Sequence, residues 1–152
     1  MDFRLDSPDD IVTMFAISPT DPIRINIPGA PIRRARPRIC NSSKHLMGDG
    51  QRKLMKATAF TMKLQWRGPT PEGALDVSMV FAMPIPKYLE RTVQEGDAHQ
   101  KKPDIDNLIK FYLDAGNGIL WLDDNCICRL SCFKCYSRNP HTEIIIRTHV
   151  RI

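Results

Sequence analysis

Several common signatures are missing from this 152-residue chain. No apolar run approaches the roughly 20 residues that a membrane-spanning helix needs. The basic start of a secretory signal is also lacking: the short apolar stretch Ile11 to Ile17 follows Asp2, Asp6, Asp9 and Asp10. An intracellular protein is therefore expected. There is no glycine-rich phosphate loop, because Gly116-Asn-Gly118 reads as a helix stop. The histidines, His45, His99, His141 and His149, show no mutual metal spacing, and no Ser-His-Asp arrangement is legible. Five cysteines, four of them crowded between Cys126 and Cys135, make a poor disulfide framework. Reduced thiols follow. Cys132-Phe-Lys-Cys135 invites a zinc reading, but the spacing fits no common finger. Cys126, Cys128 and Cys132 instead alternate on an expected strand and would face one side as core residues.

What the chain does have is positive charge. The formal net charge is +5, and its distribution says more than its size. Between Arg24 and Arg67 lie Arg33, Arg34, Arg36, Arg38, Lys44, Arg52, Lys53, Lys56 and Lys63, opposed only by Asp49. Such a surface suits a polyanion, since Lys and Arg that neutralise phosphates release condensed counterions. A solvated basic face is the alternative.

Hydrophobic periodicity outlines one domain, residues 21–152, after an acidic N-terminal extension, residues 1–20. Ile23, Ile25 and Ile27 alternate with polar residues as in a strand that Pro28 and Gly29 end. Arg33 to Arg38, interrupted by Pro37, reads as an exposed loop or irregular edge strand. Leu54, Ala57, Thr58, Thr61, Leu64 and Gln65 follow helical spacing across Gln51–Trp66. Leu75, Val77, Met79 and Phe81 alternate in a second strand. Lys87 to Pro103 is polar and aperiodic, a loop long enough to suggest function or mobility. A short helix is predicted over Asp104–Ala115, then strands over Leu120–Leu122, Ile127–Phe133 and Glu143–Arg147. This order gives an α+β (or α/β) class: a mixed β-sheet with two main helices packed on it.

The chemistry concentrates in Lys102-Pro-Asp104-Ile-Asp106-Asn-Leu-Ile-Lys110-Phe-Tyr-Leu-Asp114, followed by Trp121-Leu-Asp123-Asp124. Asp104 suits an N-cap and Asp106 the first turn. Ile105, Leu108, Ile109, Tyr112 and Leu113 share one inward face, and Asp106, Lys110 and Asp114 form an adjoining stripe. Two carboxylates at a helix start, with one or two more after Trp121, offer oxygen ligands to Mg²⁺, which can activate water and neutralise a phosphate. Lys110 would be a fixed cation nearby. Caps and turns alone would explain the same residues.

The run Lys-Pro-Asp-Ile-Asp-Asn-Leu-Ile-Lys, then Leu-Asp-Ala, then Trp-Leu-Asp-Asp resembles the signature of the RusA family of Holliday-junction resolvases. The likeness spans roughly Ile23 to Val150. Ile127 and Lys134 fall at family-like positions, and Pro31 to Arg38 looks like the family's basic leading segment. The resemblance implies that Asp104 and Asp106 are the paired metal-binding aspartates, Asp124 the third essential aspartate with Asp123 beside it, and Lys110 the catalytic lysine. It further implies Mg²⁺ or Mn²⁺ as cofactor, a homodimer, and four-way or branched DNA as partner, resolved by symmetric paired nicks in recombination and repair. Arg33, Arg34, Arg36, Arg38, Lys53, Lys56, Lys63 and Lys134 are candidates for DNA contacts, and His99 could approach DNA. Gly116 departs from the family pattern, where an apolar residue is usual after Leu-Asp-Ala, and the cysteine-rich strand is atypical. The rival readings are a less selective nuclease of branched or flapped DNA, and a DNA-binding module without catalysis.

Overall fold

The computed structural model describes residues 21–35 and 48–149. The expected N-terminal extension, together with Arg36 and Arg38, lies outside the described residues. Strand β1 (Ile23–Pro28) is followed by helix α1 (Asp49–Gln65), β2 (Leu75–Pro84), α2 (Ile105–Gly116), β3 (Ile127–Ser137) and β4 (His141–Thr148). The four strands form one mixed sheet in the order β1-β4-β2-β3, and the arrangement is α+β. β4 runs antiparallel to both β1 and β2, whereas β3 runs parallel to β2. A parallel pair needs a crossover, and α2 supplies it. No helix among the described residues is long and apolar enough to cross a membrane.

Alternation builds the core. Ile25 and Ile27 of β1, Val77, Met79 and Phe81 of β2, and Ile144 and Ile146 of β4 are buried on the sheet face that meets the helices. From α2 come Leu108, Phe111, Tyr112 and Ala115. Tyr112 packs edge-on against Phe111, with ring centroids 5.1 Å apart. Its hydroxyl accepts the backbone N–H of Ile32 at 2.9 Å and lies 3.0 Å from the hydroxyl of Thr142. Burial raises the pKa of this phenol, so the neutral form is the one that serves the two contacts.

The register of α1 differs from the sequence expectation. Its buried residues are Thr58 and Met62, with Met55 and Trp66 packed beside them. Leu54, Phe60 and Leu64 point outward and are exposed. Spacing alone cannot choose between two apolar stripes on one helix. Here the stripe carrying the methionines faces the sheet, and the one carrying the leucines does not.

Two further expectations are corrected. Leu120–Leu122 is not a strand: Leu120 and Trp121 are buried in a turn with one isolated bridge, Asn117 to Trp121, before a 3-10 turn at Asp124–Cys126. The cysteines do not all face the core. Cys126 lies in that turn and Cys128 is exposed, while Cys132 packs against the core and Cys135 is buried. The reason is position. β3 is an edge strand, and its first half, including Leu130, is exposed. Burial pushes the Cys132 thiol up to about 11, so it stays protonated at neutral pH. Among the described residues no three His, Cys, Asp or Glu side chains gather where they could share a metal ion.

Candidate active site

α2 begins at Ile105, with Asp104 at its N-cap. The Asp104 side chain makes no capping hydrogen bond, unlike the usual Asp at this position. It is exposed and lines two clefts at once. Asp106, in the first turn, is also exposed, and its Oδ1 accepts the Asn107 backbone N–H at 2.9 Å. Two exposed carboxylates at a helix N-terminus are favoured by the helix dipole and offer hard oxygen donors.

The segment before the helix is locked from the opposite strand of the sheet. Lys134 on β3 extends its ammonium to the backbone carbonyls of Lys101 at 2.6 Å and Pro103 at 2.7 Å. The Lys102–Pro103 peptide between them is cis. His99 N–H donates to the Lys134 carbonyl at 3.0 Å, and Ala98 bridges Cys135. Lys87 to Pro103 is thus not a free loop: it opens with a 3-10 turn at Lys87–Leu89, and from Glu95 to His99 it runs along the outer edge of β3. The His99 ring rests on Tyr136, with ring centroids 4.6 Å apart, and its Nδ1 is buried without a partner. Burial, and after it the charge of Lys134, lowers the His99 pKa. A neutral His99 fixed against Tyr136 is a poor phosphate contact.

On the other side of Asp104, residues 31–35 are stitched across both helices. Arg34 N–H donates to the Asn107 carbonyl at 2.8 Å, and Ala35 N–H donates to the Gln51 side chain. The guanidinium of Arg34 reaches Asp114 at 3.4 Å, and the same carboxylate holds Lys110 at 3.5 Å. Lys110 therefore stands one turn beyond Asp106, largely exposed, and restrained by Asp114. Arg33, Arg34, Lys102, Asp104 and Asn107 surround a cleft of about 410 Å³. Of the other expected DNA contacts, Lys53, Lys56 and Lys63 are exposed on α1. Sequence reasoning placed Asp114 on the right stripe but could not see its partner Arg34, because the contact spans 80 residues of chain. Lys101 and Lys102 were also missed as site residues, although they sit next to the motif.

Asp123 and Asp124 lie elsewhere. Trp121 is fully buried, and its indole N–H sits 3.1 Å from the Leu113 carbonyl and 2.9 Å from Asn117 Oδ1. This pins the chain to the C-terminal end of α2. Asp123 then caps the 3-10 turn, its Oδ1 accepting the Asp124 N–H at 2.8 Å. From Ile127, just after that turn, to Lys134 the strand climbs about 23 Å at ~3.3 Å per residue. Only there does it meet the residues around Asp104. The crossover consequently sets the two acidic groups toward opposite ends of α2, and among the described residues they do not gather into a cluster that could share a metal ion. Gly116 explains itself here: an added Cβ would stand 2.4 Å from the Trp121 ring, so the departure from the family pattern makes room for the indole.

The α+β domain thus sets an acidic helix start between two clefts that carry basic side chains. The family profile described as endodeoxyribonuclease RusA matches residues 28–147, and the chain belongs to that family. Membership implies endodeoxyribonuclease activity, and the family acts on branched DNA. The chain is also similar to the "Uncharacterized protein YqaN" of Bacillus subtilis (strain 168), 28% identical over 137 residues that cover 84% of this chain and 96% of that protein.

Proposed function

We propose that this protein is a divalent-metal-dependent resolvase of four-way DNA junctions, acting as a homodimer in recombination and repair. The observation that carries the reading is the pair of exposed carboxylates, Asp104 and Asp106, at the start of α2, with Arg33, Arg34 and Lys102 around Asp104. Carboxylates repel phosphates unless a cation neutralises them, so this mixture suits a metal better than bare DNA. The donor set fits: Mg²⁺ is commonly held by one or two carboxylates, with waters and substrate phosphate oxygens completing the shell. Mn²⁺ accepts the same oxygen ligands. When bound, such an ion supplies an activated water and offsets the charge developing on the phosphate.

The chain's own residues do the rest. Asp104 and Asp106 present the oxygen donors from a rigid helix end. Arg33 and Lys102 hold the DNA backbone beside them, and such contacts position DNA without reading sequence. Lys110, steadied by Asp114, stands on the same stripe as Asp106 and neutralises charge on the reacting phosphate.

The third carboxylate, Asp124, enters through symmetry. Because it lies at the far end of α2, a second copy related by a two-fold axis offers the way to bring one chain's Asp124, with Asp123 beside it, to the other chain's Asp104 and Asp106. A two-fold dimer also matches the symmetry of a four-way junction, which needs two strands cut. The exposed Leu54, Phe60 and Leu64 of α1 are an apolar surface available to such a contact.

Two experiments test this. Asp106→Asn should abolish Mg²⁺-dependent cleavage of a labelled four-way junction while leaving gel-shift binding intact or tighter; near wild-type cleavage would sink the metal assignment. Mixing inactive Asp104→Asn and Asp124→Asn proteins should restore nicking of one strand per junction, since half of the shared sites in a mixed dimer carry no lesion. No recovery after subunit exchange would refute the shared site.

A further inference from the structure

We propose that the second cleft beside Asp104 holds an unstacked nucleobase next to the scissile phosphate, with Phe133 as its stacking surface. The inference rests on the nuclease reading above and names how a branched substrate would be told from a plain duplex.

The cleft measures about 580 Å³ and is lined by Gln100, Lys101, Lys102, Asp104, Ile105 and Phe133, among others. Phe133 is 49% exposed and Ile105 37%. A phenyl ring left in water forfeits the burial that most aromatics obtain, and β3 gives the reason it is out. The strand is at the edge of the sheet, and Phe133 pairs with Val80, on the face turned away from the helices.

The surroundings select the occupant. Lys101 and Lys102 bring positive charge to the rim, and Lys101 Nζ stands 5.5 Å from the ring centroid of Tyr88, itself 71% exposed. Aromatic faces mixed with cations are how single-stranded nucleic acid is bound, because every base has a π-face and every nucleotide a phosphate. Gln100 adds a side chain that both donates and accepts hydrogen bonds, as a base edge requires. Asp104 and Lys102 line this cleft and also the Arg33–Arg34 cleft. A strand whose backbone crosses Asp104 from the arginine side therefore enters the cleft that Phe133 lines at the sheet edge.

A base in intact duplex is covered on both faces, and exposing it costs a few kcal/mol, least where pairing is already broken. Phe133 would then reward bases at a branch point and leave linear duplex unrewarded. This separates structure selectivity from the metal chemistry at the neighbouring aspartates.

The test uses the full chain, four-way junctions, and matched junctions with an abasic nucleotide on either side of the cleavage site. Phe133→Ala should lower junction cleavage by about tenfold, the loss expected from one base stack. The abasic junction should lower wild-type cleavage by a similar factor, and the two changes together should cost no more than either alone. Phe133→Trp should restore the rate, and Phe133→Leu, which keeps apolar bulk without a ring face, should not. Full activity of Phe133→Ala, full rescue by leucine, or losses that multiply at both abasic positions would overturn the proposal. Asp106→Asn, run in parallel, separates the two readings: if it is inactive while Phe133→Ala is unaffected, the base cleft alone falls; if it still cleaves, the metal reading falls as well.

Discussion

The ammonium of Lys134 sits between two carbonyls of the turn that delivers Asp104. From sequence it is one more basic residue at a family-like position and a natural candidate for phosphate contact. In the fold its donors are turned inward, and its effect on DNA passes through the shape of residues 101–104. Hydrogen bonds from a charged donor contribute about 1.5–3 kcal/mol, enough to hold a short turn in one conformation. Lys134→Met should therefore reduce junction cleavage by about tenfold or more while leaving the salt dependence of binding unchanged. A phosphate contact would instead lower the logarithmic salt slope by about 0.9. Measuring the slope between low and moderate salt decides between the two roles.

At the scale of elements, the bounds of helix α2 were legible but its inward face only in part. Asp104 reads as an N-cap and Gly116-Asn-Gly118 announces the stop; of the expected face Leu108 and Tyr112 are buried, whereas Ile105 is exposed and Phe111, not expected on it, is fully buried. Those are local signals, because a helix is written in residues three and four apart. The edge of the sheet was not legible. Whether Cys128 or Leu130 is covered depends on how far the helices extend over β3, which no local pattern records. The strand order was equally hidden, since β4 inserts between β1 and β2 through pairings remote in sequence. The turn after α2 lies between these cases: Trp121 is plainly a core residue, but its docking onto Gly116 is a tertiary fact. Gly116→Ala tests that docking. The new methyl would meet a buried indole held by two hydrogen-bond acceptors. Overpacking costs about 1–3 kcal/mol, against roughly 1 kcal/mol gained from helix propensity. The variant should lose up to about 2 kcal/mol in urea unfolding, and a gain in stability would mean the ring moves aside freely.

Over the whole molecule, the candidate site was legible as a set of residues but not as a place. The motif supplied Asp104, Asp106, Lys110 and Asp124 together, because a linear signature has no depth. The fold sets Asp124 beyond the C-terminal end of α2, away from Asp104 and Asp106 at its start, and joins Arg34 to Asp114 across the chain. Positive charge is likewise divided: Arg33 and Lys102 flank the aspartates, while Lys53, Lys56 and Lys63 lie exposed on α1. Replacing Arg33 and Lys102 together by Ala should weaken binding to junction and duplex alike and lower the salt slope by about 1.8 for two phosphate contacts. An unchanged slope would move the DNA track onto the α1 face.

The strand order carries one more consequence, which concerns how the chain comes into being. β4 is the last of the described strands to leave the ribosome, yet it lies inside the sheet, with β1 on one side and β2 on the other. Until residues 141–148 emerge, β1 has no partner, and its pairing with β4 joins positions as far apart as Ile23 and Ile146. Contacts this remote carry loop-closure entropy that local helices avoid, and they slow folding. The sheet therefore closes only after translation has passed β4, and a nascent chain stalled short of it holds β2, α2 and β3 without the strand that joins them to β1.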